Sequence, residues 1–214
     1  MQSTFKNMTK NIDQHLESLT EIKCFMERSS KFISLNGLSG VFAGVYGLLG
    51  AFAAWYYFNL GVFSTSNSNQ DSPEALRFYI LDALLILVLS LSTAIWLSSR
   101  KANRQSKSLF DKTAQRLVIN LCIPLGVGGI FSLSLILQGN YGQLAPVMLI
   151  FYGLALVNAS KYTFGDIRYL GLVEIVLGLI NLFMIRYGFW FWCFGFGFMH
   201  IMYGLLMYRK YDAE

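Results

Sequence analysis

Six nearly unbroken apolar stretches alternate with short polar connections along this chain, at 32–60, 76–97, 117–137, 144–160, 164–185 and 189–208. A helix rising ~1.5 Å per residue needs about 17–25 residues to cross about 30 Å of hydrocarbon. Each stretch approaches or exceeds that length, so the pattern predicts an all-α integral membrane bundle of six transmembrane helices. The fourth stretch is the shortest and carries Pro146 near its start. Turns of only a few residues join the last three, which makes them antiparallel neighbours. Ahead of the first stretch, Ile12, Leu16, Leu19, Ile22 and Met26 recur at spacings of three and four. That one-sided stripe predicts a short cytoplasmic amphipathic helix. The expected organisation is an N-terminal segment over 1–31, a six-span domain over 32–208 and a cytoplasmic tail over 209–214.

Charge gives the orientation. Of the 17 Lys and Arg residues, only Arg77 and Arg186 fall on one side of a six-span arrangement. Lys6, Lys10, Lys23, Arg28 and Lys31 precede the first span, and Arg100, Lys101, Arg104, Lys107, Lys112 and Arg116 fill the second connection. Lys161, Arg168, Arg209 and Lys210 complete the other side. Because cytoplasmic loops carry the excess of basic residues, both termini are expected in the cytoplasm, with the chain in the cell (inner) membrane. Composition agrees: 55% of residues are hydrophobic, 14% are charged, and the mean hydropathy is +0.48. Soluble domains carry about a quarter charged residues, so an ordinary soluble fold and a disordered chain are both excluded. The three cysteines, Cys24, Cys122 and Cys193, are scattered without metal-ligand or disulfide spacing.

Little mass lies outside the spans. The basic residues of segment 1–31 are nearly cancelled by Asp13, Glu17, Glu21 and Glu27. The segment is therefore expected to lie on the bilayer, pack beneath the bundle or join two protomers. The outer loop 61–73, rich in Ser and Asn, reads as a flexible connection. In the second connection Arg100, Lys101, Arg104 and Lys107 are candidates for contact with anionic lipid headgroups. No fold or aromatic interleaving supports nucleic-acid binding.

Within the spans, two kinds of residue carry the functional reading. Gly37, Gly40, Gly44, Gly47 and Gly50 are spaced three, four, three and three. They form a smooth helix face for close packing, inside the protomer or across a homo-oligomer. Ionisable residues are costly in a membrane and each asks for a reason. Glu174 and His200 lie near the middles of the fifth and sixth spans. Each is about a dozen residues from the hairpin turn, so both are expected roughly 18 Å from the outer surface. Gly171, Glu174, Gly178 and Asn181 share one face, and Gly197, His200 and Gly204 repeat the spacing on the next helix. A buried Glu174–His200 pair is the expectation. It would either fix the register of the hairpin or serve as a proton or cation site, since histidine changes charge near neutral pH. Asp82, about six residues into the second span, would guard an outer entrance or pair with Arg77. The aromatic residues of the last hairpin, from Tyr187 to Phe198, suit an interfacial belt.

Catalytic signatures are missing from the sequence. There is no GxSxG, and a single intramembrane histidine gives no zinc site; no catalytic residue, metal or cofactor is implied. The sequence MERSSKFISLNGLSGVFAG at 26–44 resembles the opening of an uncharacterised bacterial family of small multi-span membrane proteins. That resemblance implies a cytoplasmic-membrane location and carries over no functional residue. The leading expectation is a small transporter or channel-like protein built on Glu174 and His200. The alternative is a sensor, scaffold or interaction protein acting through its N-terminal helix and basic connection on a protein partner the sequence does not name. An intramembrane lipid-modifying enzyme comes third.

Overall fold

The computed structural model describes residues 36–59, 73–104 and 112–211, all helices and short turns. The amphipathic stripe of segment 1–31, the loop 61–72 and Lys107 lie outside the described residues. Helix α1 spans Gly37–Asn59, α2 Pro73–Arg104, α3 Lys112–Leu137, α4 Leu144–Ala159 and α5 Ile167–Phe183. A final rod joins α6 (Gly188–Trp192), a π-helical segment (Cys193–Met199) and α7 (His200–Tyr211). Among the described residues, five helical segments are long and apolar enough to cross a membrane, the rod counting as one. Helix α5, with 17 residues, sits at the short limit of about 17–25.

The helix bounds depart from the apolar stretches for local reasons. Helix α2 runs seven residues beyond the apolar stretch that ends at Leu97, because Arg, Lys and Ala are good helix formers and no breaker intervenes. Arg100, Lys101 and Arg104 therefore stand on its last turns rather than in a loop. Helix α5 is shorter than its stretch because Thr163 is extended before it and Met184 leaves helical geometry after it. Helix α3 ends in a Schellman turn: Asn140 N–H reaches Leu135 O, Gly139 N–H reaches Ile136 O, and Gly139 takes a φ of 74°. Glycine adopts that left-handed conformation without a Cβ penalty.

The rod stands at the centre, with α1 against one side and the tightly packed α4–α5 pair against the other. Helix α2 packs outside α1, tied to it by Tyr46 Oη and Thr93 Oγ1 at 3.2 Å. Helix α3 packs outside α4. Its Pro124 has no N–H for the carbonyl of Asn120, one turn earlier. Asn158 of α4 supplies the missing donor, Nδ2 to Asn120 O at 2.9 Å. Asn158→Ala is expected to lower stability by about 1 kcal/mol, the cost of losing a hydrogen bond to a half-buried carbonyl, measured as a fall in unfolding temperature in detergent.

The glycine face of α1 has a partner inside the chain. A Cβ on Gly44 would stand 2.6 Å from Gly197 O, one on Gly47 3.1 Å from Phe196 O, and one on Gly40 3.3 Å from the Gly204 Cα. Gly37 meets the backbone of Tyr208 and Gly204. The two helices thus run antiparallel, and residues 37 and 208 share one end of the protein. Lys101, Lys161, Arg168, Arg209 and Lys210 gather at that end, while Arg77 and Arg186 stand at the other.

A polar clasp closes the end that holds Tyr211. Asp166 Oδ2 accepts from Lys210 Nζ at 2.8 Å and from Tyr211 Oη at 2.9 Å. Phe164 stacks on Tyr211 with ring centroids 4.1 Å apart, and Lys101 Nζ lies 5.5 Å over the Phe164 ring. The Lys210 hydrogen bond holds the Asp166 carboxyl below the usual carboxylate range. A depressed carboxylate stabilises the fold above its ordinary range and loses that contribution as acid protonates it. The gap in unfolding temperature between wild type and Asp166→Asn is therefore expected near neutral pH and should shrink as acid protonates the depressed carboxylate.

Candidate functional site

Glu174 is the least explained residue of the core. It sits on the buried face of α5 with Gly171, Gly178 and Asn181, and its exposure is 0%. Gly171 and Gly178 face α4: a Cβ on Gly171 would meet Gly153 O at 2.7 Å, and one on Gly178 would meet Pro146 O at 2.9 Å. This close approach of α4 and α5 leaves Glu174 pointing at the rod, where its Oε2 rests against Gly195. Among the described residues neither of its carboxyl oxygens has a hydrogen-bond partner. Burying a polar group without one costs free energy, and a charge costs more.

His200 stands beside it. Its Nδ1 lies 3.5 Å from Glu174 Oε1, and the same nitrogen is 3.0 Å from Gly195 O. A carbonyl only accepts, so Nδ1 carries the proton and donates a hydrogen bond to Gly195 O. Nε2 lies 2.7 Å from Tyr152 Oη on α4. With a neutral ring, Nε2 accepts from the tyrosine hydroxyl. Phe196 flanks both rings, 5.0 Å from Tyr152 and 5.9 Å from His200 between centroids. The imidazole is thus held on both nitrogens, and Glu174 stands just beyond bonding distance of one of them.

The π-helical segment carries both Gly195 and Gly197. An α-helix puts residues two apart on nearly opposite faces. Gly195 accordingly turns to Glu174 and Leu149, while Gly197 turns to Leu48 on α1. The rod is thinned by a glycine on each side. Gly204 also faces α1, against Val41 and Gly37. Gly197 and Gly204 thus keep to one side of the rod, as their spacing had suggested, while the His200 ring turns to Gly195 and Tyr152. Inserted π turns often mark functional positions.

The other residues singled out by sequence fall elsewhere. Asn181 is 0% exposed, seven residues beyond Glu174, with Nδ2 donating to Met184 O at 3.0 Å and Oδ1 lacking a partner. Asp82 stays outside the cluster: it is half-buried beside Gly50 of α1 and forms no ion pair with Arg77 among the described residues. Arg100 and Arg104 are exposed on α2, and Lys101 is turned onto Phe164. Among the described residues no three His, Cys, Asp or Glu side chains gather into a metal-binding group. Tyr152 and Gly195 complete the site and carry no mark in the sequence beyond the FGFGF alternation around Gly195, which cannot fit one α-helical face. No protein-family model, curated protein or solved structure matches this chain.

Proposed function

We propose that this chain is a six-span cell-membrane protein with both termini cytoplasmic, acting as a small transporter or channel-like protein in which Glu174 and His200 form the proton or ion site. Long apolar helices, the pairing of residues 37 and 208 at one end and the gathering of basic residues there support the topology. One observation carries the function: a carboxyl group at 0% exposure whose oxygens have no hydrogen-bond partner, 3.5 Å from a histidine. Ionisable groups are retained inside a membrane where ions or protons pass.

The arrangement offers a two-position switch. In one position, Nδ1–H of His200 bonds to Gly195 O. A small approach of Glu174 would replace that carbonyl by the carboxylate as acceptor. Protonating Glu174 would weaken the new bond and return the hydrogen bond of Nδ1–H to Gly195 O. The π segment, already departing from α-helical hydrogen bonding, is where the rod would adjust as the two positions alternate.

Proton flux driven by a pH gradient in proteoliposomes tests this reading. Wild type should conduct above empty liposomes, and Glu174→Gln and His200→Ala, matched for reconstitution and folding, should fall to the empty-liposome level. Wild-type flux no higher than that of empty liposomes would remove the proton path. It would favour an interaction protein working through segment 1–31 and the basic connection.

A further inference from the structure

A common register links the two orphan acceptors of α5 to the rod. Glu174 faces Gly195, and Asn181 faces Gly188. Both pairs are offset by the same seven residues on antiparallel helices, so the contacts lie two turns, about 10.5 Å, apart along one seam. At each point the rod lacks a side chain where α5 presents an oxygen. A Cβ on Gly188 would stand 3.3 Å from Ala145 Cβ, a tight approach, and 3.7 Å from Asn181 Oδ1, an ordinary contact. Gly188, Asn181 and Glu174 are all buried. The unpartnered atoms are Asn181 Oδ1, Glu174 Oε1 and Glu174 Oε2, all acceptors, while the donor end of Asn181 is already used. Buried acceptors without protein donors are satisfied by water where the site is polar and has room.

We infer that the seam between α5 and the rod is a one-ended water path, entered beside Gly188, with Asn181 as its outer station and Glu174 as its terminus. The mouth lies at the end that holds Ile185–Tyr187. At the other end, the Phe164–Tyr211 stack and the Asp166–Lys210 bond close the protein. The path gives the ion site a sidedness, and in that respect it rests on the reading of Glu174 as that site.

Thiol accessibility tests the path without requiring flux. In the full chain with Cys24, Cys122 and Cys193 replaced by serine, single Gly188→Cys, Asn181→Cys and Glu174→Cys variants are exposed in detergent to a small charged methanethiosulfonate. Ala155→Cys, at a position of 0% exposure, is the dry control, and monodispersity on size exclusion checks folding. Gly188→Cys and Asn181→Cys should react at least about tenfold faster than the control, with Glu174→Cys slower than both and faster than the control, because only a hydrated seam admits the reagent. Gly188→Cys reads the seam from the opposite wall and meets no atom closer than 3.3 Å, so the test survives a poorly folded Asn181→Cys. Control-level rates at positions 188 and 181 would overturn the path. Glu174→Cys reacting at the control rate would overturn its terminus, and Glu174→Cys outpacing Asn181→Cys would overturn its direction. The expected order of rates with no proton flux would sink the transport reading alone, and flux with control-level rates would sink the path alone.

Discussion

Replacing Gly204 by alanine is expected to unfasten α1 from the rod and lower stability by about 3 kcal/mol or more, at the upper end of overpacking costs. The added Cβ would stand 2.5 Å from Val41 N and 2.9 Å from both Gly37 O and Gly40 C. All three are backbone atoms, so no side chain can rotate away, and the helices must separate along their length. Separation would also part Gly44 from Gly197 and Gly47 from Phe196. Gly126 of α3 supplies the contrast, since nothing lies within 4 Å of a Cβ placed there. Gly126→Ala should be neutral or raise stability by up to about 1 kcal/mol through helix propensity. Unfolding temperatures in one detergent compare the two. An unchanged midpoint for Gly204→Ala would mean that the α1–rod seam does not hold the fold together.

Glu174→Met is expected to move stability the other way, raising it by about 1–3 kcal/mol, because an apolar side chain of similar length replaces a buried carboxyl without hydrogen bonds. Water in the seam reduces that gain without reversing it, since the carboxyl has still left bulk solvent. Methionine is flexible enough to fit beside Gly195 and Leu149. The result separates two reasons for keeping a glutamate there. A residue that fixes the register of the hairpin would be missed, and the unfolding temperature would fall. A residue kept for ion or proton handling is a burden on the fold, and removing it helps. The variant should at the same time lose whatever flux the wild type shows.

Much of this could be seen along the chain, and the rest depends on contacts between distant segments. Apolar length alone indicates where the helices run, and three-four glycine spacing marks the smooth face of α1. That spacing says nothing about the partner, which is the rod backbone at Phe196, Gly197, Gly204 and Tyr208. Glu174 and His200 are readable as neighbours because one short turn joins their helices and sets their depth. Tyr152 is not, because it comes from α4 and reaches the imidazole only after α4 has packed on α5. The π segment was equally hidden. FGFGF suggests an aromatic belt, and its two glycines look redundant until helices are known to press on both sides of the rod. The basic residues after Leu97 read as a loop because charge usually ends a span, whereas their helix propensity carries α2 on to Arg104.

The α1–rod seam also bears on the order of events during synthesis. Helix α1 is made before α2 to α5, yet the surface its glycines fit is made after them. Until α7 arrives, Gly37, Gly40 and Gly44 have no native cover, so the nascent chain must hold α1 in waiting while α2 to α5 are made. Closing so long a loop is slow compared with hairpin pairing. The rod should therefore dock on α1 after the hairpins between them have paired, and chains stopped before residue 196 would carry an open glycine face for quality-control machinery, or another copy, to find.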